Sequence, residues 1–196
     1  MTERTDLSSL LAEIRACRIC EKFLEPRPVL RASTSARLCI VGQAPGMRAH
    51  ETGLSFNDRS GERLREWMGV DRETFYDVSR IAVVGMAFCF PGYDADGSDK
   101  PPPRRCAEHW RERLFDALPQ FDLTLLVGSY AQAWHLGDKV KASMTETVRA
   151  WRDTAPRYIA LPHPSWRNTG WLKKNPWFEA ELLPVLRRRV RRVLRS

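Results

Sequence analysis

Four short apolar runs punctuate this chain, and helical periodicities fill the gaps between them. The runs are Leu38–Val41, Arg80–Val84, Leu123–Val127 and Tyr158–Leu161. They lack the polar alternation of a half-exposed strand and suit strands buried on both faces. Between them, apolar residues recur every three or four positions: Leu7, Leu10, Leu11 and Ile14, then Leu64, Trp67 and Met68, then Trp110 and Leu114. That spacing predicts helices. Ser60 is placed to cap the helix bearing Leu64, and Asp71 to cap a short helix through Tyr76. Further helices are predicted for YAQAWHL after Gly128-Ser129, for the polar stretch Thr145 to Trp151, and from near Pro176 onward. Strands alternating with helices imply an α/β fold with a parallel sheet covered on both faces. There is no internal repeat and no break to a second domain, so residues 1–196 read as one domain with a basic C-terminal helix from about 177.

Composition changes this picture little. The chain is 43% hydrophobic and 29% charged, as ordinary globular proteins are. No apolar run approaches the roughly 18 residues a membrane span needs, and MTERTDLSSLLAEIRAC lacks the core of a signal peptide. A cytoplasmic monomer with no membrane contact is the expectation. The net charge of +8 is uneven: Arg187, Arg188, Arg189, Arg191, Arg192 and Arg195 stand together with no acid among them. Leu182, Leu186, Val190 and Val193 share a helical face there. The arginine side either meets a nucleic-acid backbone or is simply solvated.

Chemistry concentrates after the first strand. LCIVG opens into Gly42-Gln43-Ala44-Pro45-Gly46, and the polar stretch to Ser60 carries His50, Phe56, Asn57 and Asp58. A strand delivering a long loop and then a helix is where open α/β sheets keep their sites. The bland alternative is a surface excursion, with Asp58 only a capping acid and His50 a structural residue. The fourth strand runs directly into Pro162-His163-Pro164-Ser165-Trp166-Arg167-Asn168, where His163 could also be a mere turn residue. His109 and His135 lie in helical patterns and read as structural. Trp110, Trp134 and Trp151 read as core packing, and Trp171 and Trp177 as anchors of the last helix.

Cys17, Cys20, Cys89 and Cys106 come as a close pair and two distant singles, each in or beside a loop. In a reducing compartment such thiols suit a tetrahedral zinc ion or a [4Fe–4S] cluster better than disulfides. The spacing does not choose between them, and four unrelated buried cysteines are the third possibility. The Pro-rich loop FPGYDADGSDKPPPRR between Cys89 and Cys106 needs something to pin its ends. Cys39, inside LCIVG, reads as a core residue.

Three features together resemble the uracil-DNA glycosylase superfamily over nearly the whole chain: VGQAPG, LPHPSWRN, and a cysteine layout similar to that of its iron–sulfur branches. The resemblance implies a three-layer α/β/α sandwich on a four-stranded parallel sheet. It implies a structural [4Fe–4S] cluster on Cys17, Cys20, Cys89 and Cys106, and DNA containing a damaged base as partner. His163 would stabilise the departing base, Asp58 (in FNDRSG) with Gln43 would place water, and Phe56 would stack on the flipped base. Gly42, Ala44, Pro45, Gly46, His50, Asn57, Gly85, Ser165 and Asn168 would line the base site. Trp166 and Arg167, with Asn168, would follow the base's path into the minor groove, and Lys173 and Lys174 would hold phosphates.

The sequence also departs from the family pattern. Ala44 stands where the best-known branch has an acid, and Gln43 where the uracil-preferring iron–sulfur branch has a Glu. Gly85 stands where that branch has an Asn that reads the edge of uracil. Hypoxanthine and xanthine thus join uracil as expected bases. A non-catalytic iron–sulfur nucleic-acid-binding protein is the rival reading, and a zinc protein with an unrelated hydrolase site the third.

Overall fold

A computed structural model describes residues 6–195. Residues 1–5 and 196, the extremes of the expected single domain, lie outside it. The four apolar runs form strands β1 (Leu38–Val41), β2 (Ile81–Val83), β3 (Leu123–Val127) and β4 (Tyr158–Leu161). They pair in the order β2-β1-β3-β4, all parallel, with Leu38 opposite both Ile81 and Leu123, and Val127 opposite Leu161. Every strand residue except Tyr158 is buried, as a sheet covered on both faces requires.

The helices are α1 (Leu7–Arg15), α2 (Met47–Thr52), α3 (Arg59–Met68), α4 (Arg72–Tyr76), α5 (Arg104–Ala117), α6 (Ser129–Leu136), α7 (Met144–Arg149), α8 (Thr169–Lys174) and α9 (Leu183–Arg195). On one face α9 packs against β1, β3 and α3; on the other α1 packs on α5, and Arg111 of α5 meets His135 of α6. The result is the expected three-layer α/β/α sandwich. Among the described residues no helix is long and apolar enough to cross a membrane.

The differences from expectation are local. α2 interrupts the stretch expected to be loop up to Ser60. It spans six residues and buries only Ala49 and His50, too little to leave a periodic signal. α3 starts at Arg59, capped by Asp58 through a 2.9 Å bond from Gly61 N–H, not by Ser60. The final helix opens with a π-helical turn over Phe178–Leu182. Trp134, expected in the core, is 50% exposed because Ala131, Gln132 and Leu136 take the buried face of α6. Trp110 and Trp151 are buried as expected, and Trp171 meets Trp177 and Phe178 at ring separations of 5.8 and 5.6 Å.

Candidate active site

Beyond the C-terminal ends of the parallel strands lies a cleft of about 590 Å³. Its first wall is the loop leaving β1, Gly42 to Gly46. Val84, Met86 and Ala87 N–H groups bond to the carbonyls of Ile40, Gly42 and Gln43 at 2.9–3.0 Å, so the chain leaving β2 is zipped to that loop. This sets Gly85 in the floor. A Cβ at Gly85 would stand 2.5 Å from the Ala87 carbonyl oxygen, a backbone atom that cannot yield. The position expected to lack an edge-reading Asn is therefore also closed to one. Below it the buried Arg111 donates to Gly85 O at 2.8 Å and to His135 Nε2 at 2.6 Å. Burial and the neighbouring Arg111 and Arg157 charges push His135 down to about 3, so it stays neutral and can accept that bond. His135 is structural, as is the exposed His109.

The second wall is the turn from α2 to α3, with Phe56, Asn57 and Asp58. Phe56 has a positive φ of 56°, costly for a residue with a side chain. It is held there by Tyr76 Oη and Arg65 Nη1, which donate to its carbonyl at 2.9 and 3.3 Å. The ring lies beside Gly42, where an added Cβ would meet it at 3.4 Å, and edge-on to Phe75 at 6.3 Å. Strain maintained in this way aims the ring into the cleft.

The third wall follows β4. His163, between the buried Pro162 and Pro164, enters the cleft with Ser165, Trp166 and Arg167. Its carbonyl accepts from Asn168 Nδ2 at 2.7 Å, and Arg63 donates to Ser165 O at 2.9 Å, so the segment is tied from both sides. Burial lowers the His163 pKa, outweighing the Asp58 carboxylate, which favours the charged ring. That shift favours the neutral imidazole at pH 7. Trp166 is 70% exposed at the rim.

The fourth wall is the Pro/Gly-rich loop after Cys89, contributing Tyr93, Gly97 and Asp99. Burial, with Asp58 and Asp94 nearby, raises the Asp99 pKa against the pull of Arg167. Arg167 donates to Ser98 Oγ and Gly97 O, joining this loop to the segment after β4.

Thus Gly42, Gln43, Ala44, Pro45, Gly46, Phe56, Asn57, Asp58, Gly85, His163, Ser165, Trp166 and Arg167 line one cleft. Two residues expected to line the base site, His50 and Asn168, do not line it. His50 turns back to Glu25 (Nε2 to Oε2 3.2 Å) and Phe90, because α2 puts it on its buried face. Asn168 instead holds the His163 carbonyl. Lys173 and Lys174, expected as phosphate contacts, are exposed on α8 outside the cleft. Gln43 lines it, and an amide N–H donates to Lys100 O at 3.0 Å, which ties it to the loop after Cys89. Asp99, Tyr93 and Arg63 were not legible: a loop acid, a loop aromatic and a helical arginine carry no motif of their own.

Cys17, Cys20, Cys89 and Cys106 line one small apolar cavity with Leu24, Phe88 and Trp110, and Trp110 Nε1 donates to Cys17 Sγ at 3.3 Å. Among the described residues no three His, Cys, Asp or Glu side chains converge closely enough to hold a single metal ion. Burial pushes the Cys106 thiol up to about 12 and Cys89 up to about 11. Cys39 is fully buried in the core.

The sequence matches the family described as the uracil DNA glycosylase superfamily over residues 31–187. The chain belongs to that superfamily. The matched span holds all four strands and every wall of the cleft. Among solved structures, the crystal structure of wild-type Pedobacter heparinus SMUG2 is similar at 13% identity, covering 92% of this chain and 97% of that one with a TM-score of 0.44. VGQAPG after β1 and LPHPSWRN at the end of β4, the stretches that resemble motifs of that superfamily, form the first and third walls of the cleft.

Proposed function

We propose that the protein is a DNA base-excision glycosylase that hydrolyses the N-glycosidic bond of a deaminated base. The observation that carries this reading is the meeting of a neutral His163, the Asp58 carboxylate and a strained, inward-aimed Phe56 in one cleft. The target nucleotide leaves the duplex and its base stacks on Phe56. As the bond breaks, its electron pair goes to the base. The N–H of neutral His163 stabilises the charge developing there, as an oxyanion-hole donor does. Asp58 faces the positive charge on the sugar and takes the proton of the water whose oxygen bonds to C1′; that proton then passes to the released base. Trp166 fills the vacated space, as apolar wedges do. With Gly85 closed to an Asn, the base edge meets backbone, Asn57 and Asp99, a set that suits uracil no better than hypoxanthine or xanthine.

Cys17, Cys20, Cys89 and Cys106 would hold a [4Fe–4S] cluster. Four thiols around a cavity fit a polynuclear cluster, whereas a lone zinc needs sulfurs converging at about 2.3 Å from one point. Such a group would supply a structural crosslink. Cys89 and Cys106 would anchor both ends of the loop that carries Asp99 and Lys100.

The rival, a non-catalytic nucleic-acid-binding protein, is favoured by Ala44 and by the closed Gly85 position. Asp58→Asn separates the two. Asn caps a helix as well as Asp, so the midpoint of thermal unfolding should move by less than about 2 °C. Base release should fall about 100-fold or more, the usual contribution of a positioned base. An unchanged rate would leave Asp58 as a cap only.

A further inference from the structure

The arginines of α9 stand at the opposite end of the sheet from the cleft. The cleft lies beyond the C-terminal ends of the strands. A groove of about 630 Å³ opens at their N-terminal ends, between Arg37 and Asp122, just before β1 and β3, and Arg188, Arg189 and Arg192 of α9. Beside it is a depression walled by Arg188, Arg191, Arg192 and Arg195 alone. These four follow the i, i+3, i+4, i+7 rule and form one stripe, about 10 Å long at 1.5 Å per residue. The opposite face of the helix, Leu183, Leu186 and Val190, is buried, so the stripe cannot turn inward.

Arg37 is paired with Asp122 at 2.5 Å, but among the described residues Arg188, Arg191 and Arg195 have no carboxylate partner. No carboxylate among the described residues relieves their mutual repulsion. A nucleic-acid strand carries a phosphate about every 3.4 Å along the axis, so a 10 Å stripe faces about three of them. Strands of three to five residues set the two poles at least about 10–17 Å apart before any loop is counted. A duplex seated at the cleft lies across the far pole from the stripe.

We propose that the α9 stripe is a second, sequence-independent site for the phosphodiester backbone of duplex DNA, so that one molecule holds two DNA segments. This rests on the cleft's binding DNA, which the glycosylase and the binding-protein readings share, and asks nothing of the cleft's chemistry.

The test uses the full chain, an undamaged duplex on beads and a second, fluorescent undamaged duplex in solution. Wild type should capture the second duplex. R188Q/R191Q/R195Q should capture it at least about tenfold less well, with the slope of log affinity against log salt smaller by about 2–3. R188K/R191K/R195K, which keeps the charges, should stay within about threefold of wild type. Undiminished capture by the Gln variant would overturn the proposal, and so would equal loss in the Lys variant. It is overturned too if the Gln changes abolish binding to phosphatidylserine vesicles yet leave duplex capture intact. Base release from a short damaged oligonucleotide should be equal in wild type and the Gln variant. Its absence from both would sink the glycosylase reading and leave the two-segment result standing.

Discussion

His163→Ala should lower base release about 100- to 1,000-fold, the loss typical of removing one donor from a site that stabilises developing negative charge. The donor is fixed in place before substrate arrives. Pro162 and Pro164 restrict the backbone on either side, and Asn168 holds the carbonyl at 2.7 Å. The loss should fall on the chemical step more than on DNA affinity, because Trp166 and the other walls remain. The pH profile carries a second signature. Burial lowers the His163 pKa from its ordinary 6.5, so the neutral ring predominates at that pH. The wild-type rate should therefore show no inflection centred on 6.5. A loss of less than about threefold in the alanine variant would remove His163 from the donor role, given the size such donors ordinarily have.

Gly61→Ala should cost about 3 kcal/mol of stability and lower the unfolding midpoint by roughly 6–12 °C, the upper end of what overpacking costs. A Cβ there would lie 1.7 Å from the Phe56 carbonyl oxygen and 2.5 Å from its carbon. Both are backbone atoms. The same carbonyl is held by Tyr76 and Arg65, and the Gly61 N–H carries the cap bond to Asp58. Relief would have to come from shifting α3 away from Phe56, which dislodges Asp58 and the stacking ring together. Base release should thus fall with stability, even at temperatures where the variant is folded. Gly170→Ala is the control: nothing lies within 4 Å of an added Cβ, and the residue is helical. It should be neutral or stabilising by up to about 1 kcal/mol. Equal behaviour of the two variants in differential scanning calorimetry would contradict this account of the α2–α3 turn.

The sheet was legible because its strands are buried on both faces, which leaves uninterrupted apolar runs; only β2 came out shorter than its run, as Ile81–Val83. Phe56, Asp58 and His163 were legible as residues of motifs resembling a known family, and Asp58 proves to be a cap as well as a cleft residue. What was hidden depends on partners distant in sequence. Glu25 draws His50 away from the cleft and Lys100 takes the Gln43 amide, contacts 25 and 57 residues away that no local pattern encodes. Helices of six residues, such as α2 and α8, are too short for a periodic signal. Asp99 was hidden for another reason. It sits in a loop readable only as Pro- and Gly-rich, and becomes a site residue because Arg167 and Gln43 hold that loop against the cleft.

A cleft that hydrolyses a base from DNA must yield that base free in solution. The most direct test is chromatographic detection of free base after incubating the wild-type protein with oligonucleotides carrying uracil, hypoxanthine or xanthine, single- and double-stranded. The account predicts release of at least one of these bases, with an abasic site left in the intact strand. Folded protein that binds these oligonucleotides yet releases none of the three bases would contradict it and leave a binding protein on a glycosylase fold.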